Sequence, residues 1–363
     1  MKRMIIAAGA VATCTTAAFA GGIERSSQSV APLFEAGNYF EFSFGSFSPS
    51  VSGAGAGPFT GTASGDMATS YLSYSFAYKR ALNDRLDMAI IVDQPIGADV
   101  QYPVSGAPYP FAGSYAEVRS LAVTGLLRYK MPSNISVYGG LRVEAVKGTL
   151  GIIAPTINPA FTNYGLVGDQ DIGVGYVVGA AWEKPEIAAR VALTYNSAID
   201  HTLDTSETGL AAAAIPGQMD VEVPQSLNLE FQTGIAANTL LFGSIRWVDW
   251  TAFNITPPTL GSAVVSYDDD VITYNLGIGR KFNDQWAGAV TLGYEKSGGT
   301  PVGNLGPTDG YRSIGVAATY TVDKMKITGG VRYVDIGDAV TTIGSNFNDN
   351  SGIGAGIRVG FNF

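Results

Sequence analysis

Cysteine is all but absent. The single one, Cys14, lies near the N-terminus, so neither a disulfide framework nor thiol chemistry supports this fold. One histidine, His201, is equally isolated. It is read in a loop, with no Gly-x-Ser-x-Gly and no metal-ligand pairing around it, so no catalytic residue and no metal or other cofactor is expected. Charged residues make up only 15% of the chain, where about a quarter is usual for a soluble protein. The net charge of −9 disfavours nucleic acid as a partner. Beyond the N-terminal stretch, no apolar run approaches the roughly 20 residues a membrane-spanning helix needs.

What the chain has in quantity is glycine, 46 residues, with 18 tyrosines and 17 phenylalanines. It also has a recurring two-residue period. A strand turns successive side chains to opposite faces. In the closing segment Ile353, Ala355, Ile357, Val359, Phe361 and Phe363 share one face, while Gly354, Gly356, Arg358, Gly360 and Asn362 share the other. The terminal Phe363 suits a strand that closes a lipid-facing barrel and is handled there by the barrel-assembly machinery. The N-terminus reads as a signal peptide over 1–20. Lys2 and Arg3 precede a short apolar stretch, and Ala18-Phe19-Ala20 forms a small-x-small cleavage site. Acylation at Cys14 is the weaker alternative, because Thr13 suits it poorly.

Strand-period segments are expected at 38–48, 68–80, 86–92, 115–130, 135–150, 171–183 and 187–199. The second half adds 221–236, 239–253, 271–282, 285–297, 311–322, 325–337 and 351–363. Short turns at 81–84, 131–134, 184–186, 236–238, 283–284 and 323–324 alternate with long loops. The expected fold is therefore an all-β, transmembrane antiparallel β-barrel of about 14 strands in the bacterial outer membrane. Its residues 38–363 follow a short N-terminal lumenal, plug-like segment, 21–37. Tyr78, Tyr129, Trp182, Trp286 and Tyr320 beside short turns suit an interfacial aromatic belt facing lipid and lipopolysaccharide. The acidic run Asp268–Asp270 suits a solvated rim better than a divalent-ion site.

The stretches Ala31-Pro32-Leu33-Phe34-Glu35-Ala36-Gly37-Asn38-Tyr39 and Pro49-Ser50-Val51-Ser52-Gly53, with Asp93-Gln94-Pro95-Ile96-Gly97-Ala98-Asp99, resemble outer-membrane transporters of the FadL type. That family carries long-chain fatty acids and aromatic hydrocarbons. Tyr195–Leu203, Val223–Leu227, Ile245–Thr251 and Gly306–Arg312 fit the same family. The resemblance implies fourteen strands, a lumenal plug, capture of a hydrophobic ligand by extracellular loops, and sideways release through a gap at a kinked third strand. The plug here is shorter than the family's, and its Asn-Pro-Ala element is reduced to Ala31-Pro32. That departure leaves room for a more open pore. Pro95 removes a ladder donor and Gly97 tolerates a bulge, a basis for the kink and lateral gap.

Two long loops are unusually apolar, and such patches mark binding surfaces or self-packing. The first contributes Ile152, Ile153, Phe161, Tyr164 and Leu166; the second Leu203, Leu210 and Ile215. These are the candidate ligand contacts. Parity turns Arg142, Glu144, Arg190 and Arg246 inward, and Arg142 and Arg190 are the candidates to meet a ligand carboxylate. The expected function is passive transport of small hydrophobic molecules. The alternatives are a general diffusion porin for small polar solutes, or a surface structural or adhesive barrel.

Overall fold

The computed structural model describes residues 22–104, 109–299 and 301–363; the expected signal peptide lies outside them. Fourteen antiparallel strands close into one barrel. They are β1 (Tyr39–Ser50), β2 (Tyr71–Ala81), β3 (Leu86–Asp93, resuming as Gly97–Gln101), β4 (Tyr115–Lys130), β5 (Ile135–Ile152), β6 (Tyr164–Lys184) and β7 (Ala189–Asn196, resuming as Ile199–Thr208). Next come β8 (Ile215–Val223, resuming as Ser226–Ala236), β9 (Thr239–Val248), β10 (Val271–Lys281), β11 (Trp286–Glu295), β12 (Tyr311–Val322), β13 (Met325–Ile336) and β14 (Asn350–Asn362). Each strand pairs with its neighbours in sequence, and β1 meets β14 from Tyr39↔Asn362 to Ser50↔Ser351. Closure leaves no edge, so backbone groups are satisfied without water, as a bilayer requires.

The outward face is apolar across the belt that the strands share. Phe40, Phe42 and Phe44 on β1, Ile172, Val174 and Tyr176 on β6, and Ile353, Ile357 and Phe361 on β14 are all exposed. A soluble protein does not leave so continuous an apolar belt in water. Phe363 stacks against Tyr78 at 6.2 Å, and Trp286 lies 4.9 Å from Tyr320, both beside short turns. Those turns are built for tightness. In Leu82-Asn83-Asp84-Arg85 and Phe282-Asn283-Asp284-Gln285, the Asn Oδ1 accepts from the amides two and three residues further on, at 2.8–2.9 Å. Such Asx geometry is one reason Asn recurs in turns.

The wall rises unevenly. Segments 164–170, 199–208 and 215–223, wholly or largely read as loops from the sequence, are strands that carry β6, β7 and β8 beyond the belt. They were hard to read because, above the lipid, the outer face no longer needs to be apolar. Asp200, Thr202 and Asp204 face out there, while Ile199, His201 and Leu203 are buried. His201 is accordingly a strand residue, its Nδ1 3.1 Å from Asp171 Oδ2. Lys147 sits at a register shift between β5 and β6 and points outward.

Glu207 ties this outer extension to the loop between β9 and β10. Its buried carboxylate accepts from the Thr259 amide (2.7 Å), the Leu260 amide (3.0 Å) and the Tyr164 hydroxyl (2.9 Å). Burial alone would raise its pKa, but these donors outweigh burial and hold it below the ordinary value. A depressed carboxylate contributes stability above its unfolded pKa, about 4.3, and loses it as pH falls through the folded value. Proteolysis within residues 254–266 is therefore expected to accelerate below about pH 4. In Glu207→Gln it should be fast at neutral pH, the lost charge-assisted bonds being worth about 1–3 kcal/mol. Identical cleavage of both proteins across that range would refute the tie.

Candidate functional site

Residues 22–37 run down the inside of the barrel as a strap. At the lower end a 3₁₀ turn, Ala31–Phe34, buries Leu33 against Ala77, Ile91 and Leu126. Phe34 lies between the guanidiniums of Arg128 (4.4 Å) and Arg190 (4.6 Å). Near the upper end, Glu24 meets Arg246 Nε at 2.6 Å. Arg246 in turn donates to Ser226 (2.9 Å) and Asn228 (2.6 Å). Ser29 donates to Glu230, and Asn228 donates to the Ser27 carbonyl.

Its upper end docks on the interruption of β3. β2 pairs only with the first piece of β3, from Phe76↔Val92 to Ala81↔Asp87. β4 keeps both pieces, through Asp93↔Ala122 and Gly97↔Arg119. Between them Gln94, Pro95 and Ile96 leave the wall, and the Ser120 hydroxyl takes over both backbone groups of Ile96 (2.9 and 2.7 Å). The strap supplies the other partners: the Arg25 amide donates to the Pro95 carbonyl and the Gly97 amide donates to the Ile23 carbonyl, both at 2.8 Å. A Cβ at 97 would come within 2.6 Å of Arg25 Nε, so a larger residue there would displace the arginine. The ladder between β2 and β3 stops at Phe76↔Val92, and beyond it the Tyr74 amide donates to Gln94 Oε1 at 3.1 Å. The result is a window beside Tyr74, closed above where Gln101 donates to the Met67 carbonyl at 2.8 Å.

Two cavities meet at this level. The upper, about 110 Å³, is apolar. Ile23 and Ile96 form its floor, Leu166, Leu203 and Val221 one wall, and Phe253, Tyr267 and Leu305 its cover. The lower, about 220 Å³, is more polar, with Glu24, Glu41, Asp93, Arg246, Arg332 and Arg358 among apolar residues such as Phe44 and Phe242, and it reaches Tyr74 and Gln94 at the window.

Of the residues singled out from sequence, Leu166 and Leu203 line the upper chamber. Ile152 and Tyr164 are buried in the same apolar cluster, and Phe161 and Leu210 pack against it. Ile215 is half-buried away from the chamber lining, and Ile153 is exposed. Arg142 is buried in the wall, donating to Thr124 at 2.9 Å, and lines neither cavity. Arg190 lies at the opposite end, under Phe34. The structure thus places both arginines away from the apolar chamber. Sequence reading passed over Ile23, Ile96, Val221 and Phe253, because inward apolar residues among polar neighbours carry no periodic signal on their own. Trp247 donates to Asp270 at 3.0 Å, and among the described residues no three His, Cys, Asp or Glu side chains cluster as a metal site.

A family model described as outer membrane protein transport protein (OMPP1/FadL/TodX) matches residues 35–299. No curated protein matches the sequence. Among solved structures, a Pseudomonas aeruginosa FadL homologue superposes with a TM-score of 0.76 at 14% identity, covering 97% of this chain and 99% of that one. The Pseudomonas putida toluene transporter TodX gives 0.66 at 13%, covering 96% of each chain. The Ralstonia pickettii toluene transporter TbuX gives 0.65 at 12%, covering 96% and 97%. These likenesses concern the fold.

Proposed function

The chain belongs to the outer membrane protein transport family (OMPP1/FadL/TodX), and from that premise we propose that it conducts small hydrophobic molecules, aromatic hydrocarbons or fatty acids, from outside the cell into the outer membrane. One observation carries this reading: Ile96 is at once a residue of the β3 interruption and part of the apolar chamber's floor. A ligand leaving the chamber past Ile96 therefore arrives where the polar cavity reaches the side window, at Tyr74 and Gln94.

The pathway needs no energy source. Apolar surface leaves water at the chamber, gaining roughly 25 cal/mol per Å², and keeps most of that gain on passing into lipid. Chamber and lipid are similar solvents for such a molecule, so release is not penalised. The polar cavity beneath, with Arg246, Arg332 and Arg358, favours the sideways route over the downward one. Two further assignments rest on the same reading: the belt faces lipid and lipopolysaccharide, and the terminal strand ending at Phe363 serves the barrel-assembly machinery.

A charge placed in the chamber tests the capture step. Leu166→Asp and Leu203→Asp each set a carboxylate in an apolar cavity, and uptake of a radiolabelled aromatic hydrocarbon should fall by about ten-fold or more. Leu193→Asn, on an outward face far from the chamber, serves as the assembly control. Unchanged uptake in both chamber variants, with barrels assembled, would refute capture at this site.

A further inference from the structure

Four arginines line the polar cavity: Arg25, Arg246, Arg332 and Arg358. Three of them face a carboxylate of the protein. Arg25 engages Asp99, Arg246 meets Glu24 at 2.5 Å, and Arg358 Nε stands 3.8 Å from Glu41. Arg332 does not. It is 7% exposed, its Nη2 donates to an uncharged group, Asn275 Oδ1 at 3.1 Å, and its buried Nε has no partner. The acids of the cavity are engaged elsewhere. Glu24, Glu35 and Glu41 face Arg246, Lys326 and Arg358, while Asp93, Glu230 and Glu295 accept from the hydroxyls of Ser26, Ser29 and Thr273.

The wall is shaped to hold the arginine there. Arg332 stands on β13 opposite Gly315 of β12, and its guanidinium reaches past Gly293 of β11 to Asn275 of β10. A Cβ on Gly293 would lie 3.3 Å from Nη2, 3.1 Å from Asn275 Oδ1 and 2.5 Å from Ser313 Oγ, a buried hydroxyl that itself has no partner. Glycine leaves the room in which these groups meet. The outward neighbours Val331 and Tyr333 are exposed parts of the belt, so Arg332 sits at lipid depth. A cation held there calls for a counter-charge, and water does not supply one.

We infer that the polar cavity is an anion site, in which Arg332 pairs with a small monovalent anion from the medium while Asn275 holds the guanidinium in place. A cavity of about 220 Å³ has room for a halide or nitrate ion beside it. The guanidinium serves either, a spherical ion through single N–H groups and a planar oxyanion through two. The lumen thus takes a ligand class of its own, distinct from the hydrophobic cargo.

Crystals of the full-length mature protein soaked in sodium iodide should show anomalous density in contact with the Arg332 guanidinium. Titration of the protein in detergent with sodium iodide, at fixed ionic strength, reads the same site in solution. Arg332→Gln removes the cation, and iodide affinity should fall by at least about ten-fold. Asn275→Asp keeps the cation but sets a carboxylate against Nη2, where the amide oxygen now stands, and should weaken iodide by a similar factor, about ten-fold. That second variant exchanges one planar group for another of the same shape, so it reads the site even if the first fails to assemble. No density at Arg332 in native crystals, or iodide bound by Asn275→Asp as well as by the native protein, would overturn the inference and leave the hydrocarbon route untouched.

Discussion

Removing Gln94, Pro95 and Ile96 is expected to abolish uptake of hydrophobic molecules while leaving the barrel assembled. The deletion takes out the three residues that leave the wall, so Asp93 runs straight into Gly97. The ladder between β2 and β3, which now stops at Phe76↔Val92, can then extend along the outer part of β2. Backbone pairing inside a bilayer is strongly favoured because no water competes for the groups, so the shortened strand should zip shut. The strap would also lose the Pro95 carbonyl it bonds through Arg25. Uptake of a labelled hydrocarbon by cells should fall to the level of cells lacking the protein, with heat-modifiable migration on gels unchanged. Uptake within about two-fold of native, where ten-fold would be 1.4 kcal/mol, would place the exit elsewhere.

Deleting residues 22–34 should have the second largest effect, on a different observable. The strap holds the lumen through Glu24–Arg246, Arg25–Asp99 and the Phe34 turn between Arg128 and Arg190. Barrels somewhat larger than this one carry aqueous channels when nothing obstructs them. The intact protein in a planar bilayer should therefore be near silent, and the truncated one should conduct, with current higher by roughly an order of magnitude. Arg246 and the buried Asn228 lose partners in that variant, so a modest loss of thermal stability should accompany the current. A steady large current from the intact protein would favour the diffusion-porin alternative.

Much of this architecture was legible in the sequence, for a physical reason. Lipid imposes one solvent on every outward side chain, so Ile353, Ile357 and Phe361 repeat every second or fourth position and announce the strand. β4 and β12 were read to the residue, at Tyr115–Lys130 and Tyr311–Val322. Legibility ends where the lipid ends. Ile199–Thr208 has no uniform solvent on either face, and its pattern of Asp, Thr and His looks like loop. The chamber was harder still, since its parts come from the strap (Ile23), the β3 break (Ile96), three strand extensions and two loops. Only the fold brings them together. Arg142 and Arg190 illustrate the converse: parity turned them inward, but strand parity carries no information about depth along the barrel. Arg25, which lines the polar cavity, lay in a segment with no period at all.

The central claim is that the apolar chamber above Ile96 holds the ligand and empties sideways. Soaking crystals of the protein with a brominated hydrocarbon and recording anomalous scattering tests it directly. The account predicts bromine density between Ile96 and Leu166, with any further site leading toward Tyr74 at the window. Density confined to the polar cavity between Arg246 and Arg358, with none above the strap, would contradict it.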